Sequence, residues 1–175
     1  MIKFPVVTVT LAFSLLVRSI NLSAKETTTT ALCKQVMSLI CENRLVEADK
    51  ILSPAFEADR NNFELLETKG VLLYHQRNYS ASTNAMRRIV DHDGSHHTAW
   101  EYYGMSLLQV SQIGAGEIAL DEALKLNDRC TTCICSKSAA RISKGDLKSA
   151  ASLLDRSISY QTKRAEVWIL GGIVH

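Results

Sequence analysis

Apolar and small residues recur along this chain at one fixed period. The period is about 34 residues, long enough for two short helices and their turns. Units can be counted from Thr29, Phe63, His97, Thr131 and Ala165. Position 4 of each unit is then Leu32, Leu66, Trp100, Ile134 and Trp168, all apolar. Position 8 is Val36, Gly70, Gly104, Ser138 and Gly172, mostly small. Position 17 is Leu45, Tyr79, Ile113 and Leu147, and position 20 is Ala48, Ser82, Gly116 and Ala150. Position 24 is Leu52, Met86, Leu120 and Leu154. Positions 27 and 28 continue the stripe with Ala55-Phe56, Ile89-Val90, Ala123-Leu124 and Ser157-Ile158. Positions 4, 8 and 11 share one face of a first helix, and positions 17, 20, 24, 27 and 28 share one face of a second. Small residues at 8 and 20 let the two backbones approach, while bulky residues at 4 and 24 fill the space beside them. Asn43-Arg44, Arg77-Asn78, Ser111-Gln112 and Gly145-Asp146 stand between the helices as turns.

The pattern therefore predicts an all-α chain, an α-solenoid of tandem antiparallel helix pairs with about four and a half units. Two residues break it. Pro54 falls inside the second helix of the first unit and is expected to kink or shorten it. Arg141 occupies the apolar position 11 of the fourth unit. The fifth unit holds only the apolar stretch from Glu166 to Val174, which reads as the end of a fragment or as a helix covered by a partner.

The spacing, the Trp-x-x-Tyr-Gly of Trp100 to Gly104 and the small-residue columns resemble tetratricopeptide repeats, from about Thr29 to His175. The third unit, with Trp100, Gly104, Leu107, Leu120 and Ala123, is the best match. The usual proline at position 32 is absent, replaced by Arg60, Gly94, Asp128 and Thr162. The resemblance implies a concave groove on the first helices, faced by positions 2, 5, 9, 12 and 13. Those positions include Glu64, Glu67, Val71, Tyr74, Glu101, Met105 and Leu108. The lysines, arginine and asparagines with which chaperone-binding members clamp a carboxylate do not occur at them. The groove is apolar with three glutamates at its centre, which suits a hydrophobic or basic peptide segment.

The N-terminal residues carry a different pattern. Lys3 precedes an uncharged, mostly apolar run from Phe4 to Val17, and Ala24 offers a small residue for cleavage. The run is shorter than the roughly 20 residues a membrane span needs, so residues 1–24 read as a signal peptide, with membrane attachment only if it stays uncleaved. Residues 25–30, with Thr27 to Thr30, read as a linker to a repeat domain over 31–175. The chain is then expected to be exported: periplasmic or outer-membrane-associated in a bacterium, or in the secretory pathway of a eukaryote.

Formal net charge is +2 over the whole sequence. Lys3 and Arg18 are the only charged side chains before Lys25; without them the basic and acidic residues balance. That balance, with no basic run, gives no case for nucleic acid.

Of five cysteines, Cys130, Cys133 and Cys135 cluster between the third and fourth units. Cys130 and Cys133 are a candidate disulfide; packing and a thiol-redox or metal role are the alternatives. A zinc site needs four ligands, and no second Cys or His pair stands at a suitable spacing, so no metal and no cofactor are assigned. His92, His96 and His97 flank a loop of ordinary turn composition. No phosphate loop, nucleophile–base arrangement or paired catalytic carboxylate is present, so no catalytic residue is assigned. Asn78-Tyr79-Ser80 is a glycosylation sequon in a turn. The expected function is a non-catalytic protein–protein interaction scaffold of the cell envelope or secretory compartment, aiding assembly of a multiprotein complex. A thiol-redox or metal protein, and an accessory domain of a larger enzyme, are the alternatives.

Overall fold

The computed structural model describes residues 26–160, which form eight helices and no strand. They are α1 (26–41), α2 (Leu45–Ala58), α3 (Phe63–His75), α4 (Tyr79–His92), α5 (His97–Gln109), α6 (Ile113–Leu126), α7 (Thr131–Ser143) and α8 (Leu147–Ser159). Residues 1–24, read as a signal peptide, and the half unit after Tyr160 lie outside the described residues. The second helices start at Leu45, Tyr79, Ile113 and Leu147, each one full period after the last, and so do the first helices at Phe63, His97 and Thr131. Residues 26–30, expected as a linker, are helical and continuous with the rest of α1. A threonine run has only modestly poorer helix propensity than its neighbours, and helix packing overrides it.

Burial follows the repeat columns. Leu52, Met86, Leu120 and Leu154 at position 24 are all fully buried, and so are Ala48, Ser82 and Ala150 at position 20. Each bulky side chain of this kind contributes about 1.5–3 kcal/mol on burial. Position 17 departs from the pattern: Leu147 is exposed and Leu45, Tyr79 and Ile113 are half-buried. It is the first residue of each second helix and lies at the edge of the pair. The core divides within α5. Residues up to Ala99 pack with α1 to α4, and Met105 packs with α6 and the start of α7. Trp100 and Tyr102 touch both clusters and join them.

The small columns act as the spacing requires. A Cβ on Gly104 would lie 2.7 Å from Leu120 Cγ and 3.0 Å from the Gly116 carbonyl oxygen. A Cβ on Gly116 would lie 3.0 Å from the Gly104 carbonyl oxygen. These two glycines bring the backbones of α5 and α6 together. Ser82 replaces glycine at the same position one unit earlier. Its buried hydroxyl donates to the Gly70 carbonyl at 2.9 Å and accepts from Ser106 Oγ at 3.0 Å. Its polarity is thereby satisfied inside the core.

Each pair closes through the same turn. Asn43, Arg77, Ser111 and Gly145 adopt positive φ, from 58° to 77°. The next residue's N–H then reaches back to a carbonyl near the end of the first helix, as in Arg44 to Leu39, Asn78 to Leu73, Gln112 to Leu107 and Asp146 to Arg141. These are the capping bonds of a left-handed helix terminus.

Neither break in the sequence pattern breaks the fold. α2 runs through Pro54 and keeps the 14 residues of α4 and α6, so the expected shortening does not occur. Arg141 leaves the apolar role of its column for an ion pair. Its Nε lies 2.5 Å from Oε1 of the buried Glu117 on α6, and Lys144 Nζ lies 2.5 Å from Oε2. Lys137 pairs with Asp121 across the same joint, as Lys69 does with Asp49 at 2.6 Å between α2 and α3.

Candidate binding surface on the first helices

First helices touch along the row: α3 meets α5, and α5 meets α7. Among the described residues no contact joins α2 to α4, α4 to α6 or α6 to α8. The first helices therefore crowd together while the second helices splay, which puts the first-helix face on the inner side of the curve. Two depressions open on it. One, of about 350 Å³, is lined by Thr30, Cys33, Met37, Glu64, Glu67 and Val71, with Lys34 also on its wall. The other, of about 230 Å³, is lined by Tyr74, Met105, Leu108, Ile113, Ala139 and Ala140.

The seven residues read from the sequence as groove-lining thus fall into three places. Glu64, Glu67 and Val71 share the first depression, and Tyr74, Met105 and Leu108 share the second. Glu101 lines neither and stands instead beside His97, Cys130 and Cys133. Val71 and Met105 are themselves largely buried, so they form floor rather than rim. Lys34 and Ile113 are lining residues that the column reading passed over.

Electrostatics distinguish the two. In the first, burial pushes the Glu67 carboxyl above its ordinary range, with nearby Glu64 adding to the rise. His96 and a hydrogen bond with Thr98 pull it back. Thr30 Oγ1 donates to Glu64 Oε2 at 3.1 Å, which orients that carboxylate at the mouth. Burial also pushes the Cys33 thiol up, so it remains a neutral, packed thiol. The second depression is aromatic at one end. Tyr74 meets Tyr102 and Tyr79 edge-on, with centroids 5.3 and 5.4 Å apart, and Tyr102 Oη lies 3.4 Å from His75 Nε2. Burial raises the Tyr74 hydroxyl and lowers the His75 imidazole, so both stay neutral near pH 7. Acidic walls over an apolar floor, beside an aromatic-lined hollow, can hold a cationic and an apolar side chain of one extended or helical segment.

Cys130 and Cys133 are placed as a disulfide at the start of α7, with Cα atoms 5.3 Å apart. Cys33, Cys41 and Cys135 are unbridged. Asn78 of the sequon is exposed and caps α4, its Oδ1 accepting from the Ala81 N–H at 3.3 Å. Among the described residues no helix is long and apolar enough to cross a membrane.

Helix pairs stacked in register around small-residue contacts, with their first helices lining one face, define a helical-repeat solenoid. Its fold is that of the tetratricopeptide repeats. A tetratricopeptide-repeat protein of Thermus thermophilus, TTC0263, superposes with a TM-score of 0.71 at 10% identity, covering 83% of this chain and 80% of that one. MamA from Desulfovibrio magneticus gives a TM-score of 0.66 at 16% identity over 78% of this chain and 77% of that one. The structure of the APC/C hetero-tetramer Cut9–Hcn1 gives 0.76 at 13% identity, over 83% of this chain and 29% of that one. No protein-family model matches the chain. No curated protein matches it in sequence.

Proposed function

We propose that this chain is a non-catalytic protein–protein interaction scaffold. It takes a peptide segment with basic and apolar side chains along the face of its first helices, outside the cytosol, and so aids assembly of a multiprotein complex. The observation that carries this reading is the depression around Glu64, Glu67 and Val71, continued along the row by the hollow at Tyr74, Met105 and Leu108. A half-buried carboxylate whose charge is disfavoured is a site waiting for a cation. One structure with the same fold, the APC/C hetero-tetramer Cut9–Hcn1, is itself an assembly of proteins. The export expectation rests on residues 1–24 alone.

The test is selection of peptides from a random library on the purified chain, followed by affinity measurements on variants. Glu67→Lys and Leu108→Glu are expected to weaken the selected peptides at least roughly tenfold, the effect of losing a central anchor. Ile118→Glu, on the exposed face of α6, is expected to leave them unchanged. Loss on Ile118→Glu with retention on the other two would place binding on the second helices and overturn the proposal. Fractionation of cells expressing the full chain tests the compartment; residence in the cytosol would remove that part of the reading.

A further inference from the structure

The joint between the third and fourth units gathers four metal-binding side chains that the sequence keeps apart. His97 and Glu101 lie one turn apart on α5, and Cys130 and Cys133 open α7. A donor atom from each lies within 4.8 Å of every other. The cysteines are buried, with Cys130 7% and Cys133 0% exposed, and the His97 and Glu101 side chains are 27% and 16% exposed. A ring nitrogen of His97, Nδ1, lies 3.8 Å from Glu101 Oε2. Its other nitrogen, Nε2, is buried and has no hydrogen-bond partner. A buried, unpartnered imidazole nitrogen in a cluster with two sulfurs and a carboxylate costs free energy unless something binds it.

From this geometry we infer that the dithiol form of the chain binds one zinc ion through Cys130, Cys133, His97 and Glu101. Opening the disulfide takes two electrons and two protons from a thiol reductant. The two thiols then give up their protons as they ligate Zn²⁺, so binding releases two protons and changes no oxidation state. Two sulfurs, one nitrogen and one carboxylate oxygen form a ligand set that suits four-coordinate zinc. Tetrahedral bonds of about 2.0–2.3 Å put neighbouring donors roughly 3.3–3.8 Å apart. With one donor atom from each residue already within 4.8 Å of every other, ligation asks for donor shifts on the order of 1 Å, and the sulfurs separate once reduced. The position at the helix start helps: Cys130 Sγ accepts the Cys133 N–H at 3.2 Å, and the terminus favours thiolate over thiol. The ion would tie α5 to α7, an alternative to the disulfide, which ties only neighbouring turns of one segment.

The experiment titrates the full chain with Co²⁺ as a zinc probe and then with Zn²⁺ in competition, after reduction by a phosphine, which adds no competing thiol of its own. One equivalent of Co²⁺ is expected to bind, with a thiolate-to-cobalt charge-transfer band and tetrahedral d–d absorption, and Zn²⁺ is expected to displace it. The oxidised chain is expected to bind none. His97→Ala and Glu101→Ala are each expected to weaken binding by more than roughly a hundredfold, beyond the ~10–100-fold that loss of an outer-shell partner costs. Cys135→Ser, outside the cluster, is expected to change nothing, and circular dichroism of each variant checks its fold. Absence of the charge-transfer band in the reduced wild type would overturn the inference. So would full affinity in both His97→Ala and Glu101→Ala, since the two cysteines alone would then be an adventitious chelate.

Discussion

Three side chains sit in a backbone region that normally belongs to glycine. Asn43, Arg77 and Ser111 have φ of 58°, 62° and 63°, and only the fourth turn uses a glycine, Gly145 at 77°. Asparagine tolerates this region; arginine and serine are strained there by about 1 kcal/mol. Denaturant unfolding is therefore expected to find Ser111→Gly more stable than wild type, and Gly145→Ala less stable by about 1 kcal/mol. Equal midpoints would contradict the turn geometry. Glu67 is the second residue whose chemistry can be read from one position. Burial raises its carboxyl pKa in the folded state, so its contribution to stability is complete below the unfolded value. That contribution is lost as pH rises through the folded one. Glu67→Gln is accordingly expected to raise the Tm at pH 7 and to leave it unchanged at pH 3, where both side chains are neutral. A Tm lowered at pH 7 would show that the charged form is favoured in the fold.

Between helices, the glycines make distinct demands. Gly104 and Gly116 face each other's backbone, which cannot swing aside, whereas a Cβ on Gly70 meets chiefly the flexible end of Met86. Gly104→Ala and Gly116→Ala are expected to cost about 1–3 kcal/mol by overpacking, and Gly70→Ala less. Thermal unfolding of the three variants checks the order. The columns at positions 8, 20 and 24 were legible in the sequence because burial at a close approach restricts residue size. Arg141 was not legible in the same way. It breaks an apolar column, and its compensation, Glu117, lies in the preceding unit at a position with no column of its own. Glu117→Gln is expected to destabilise the chain by roughly 1–3 kcal/mol, because the half-buried Arg141 and the exposed Lys144 lose their shared, buried anion. Pro54 likewise looked like a helix breaker from composition, yet packing of Leu52 and Ala48 holds α2 across it.

Over the whole molecule, the stacking of equivalent positions decides what the sequence can and cannot reveal. It places the first helices side by side, so Glu67 and Val71 of one unit share a face with Met105 and Leu108 of the next. Column positions predicted that face but not its division into two depressions, nor the placement of Glu101 beside the cysteines. His97 and Glu101 lie about one repeat before Cys130 and Cys133, a spacing far longer than any local metal motif. Only register between adjacent units brings them together, and the period itself was the signal that could have found them. The proposed partner lies along the first helices. The most direct measurement is a methyl NMR map of the chain bound to a selected peptide. Shifts are expected at Met37, Val71, Met105 and Leu108, with Val46, Ile118 and Leu126 on the second helices unmoved. Shifts confined to Val46, Ile118 and Leu126 would contradict it.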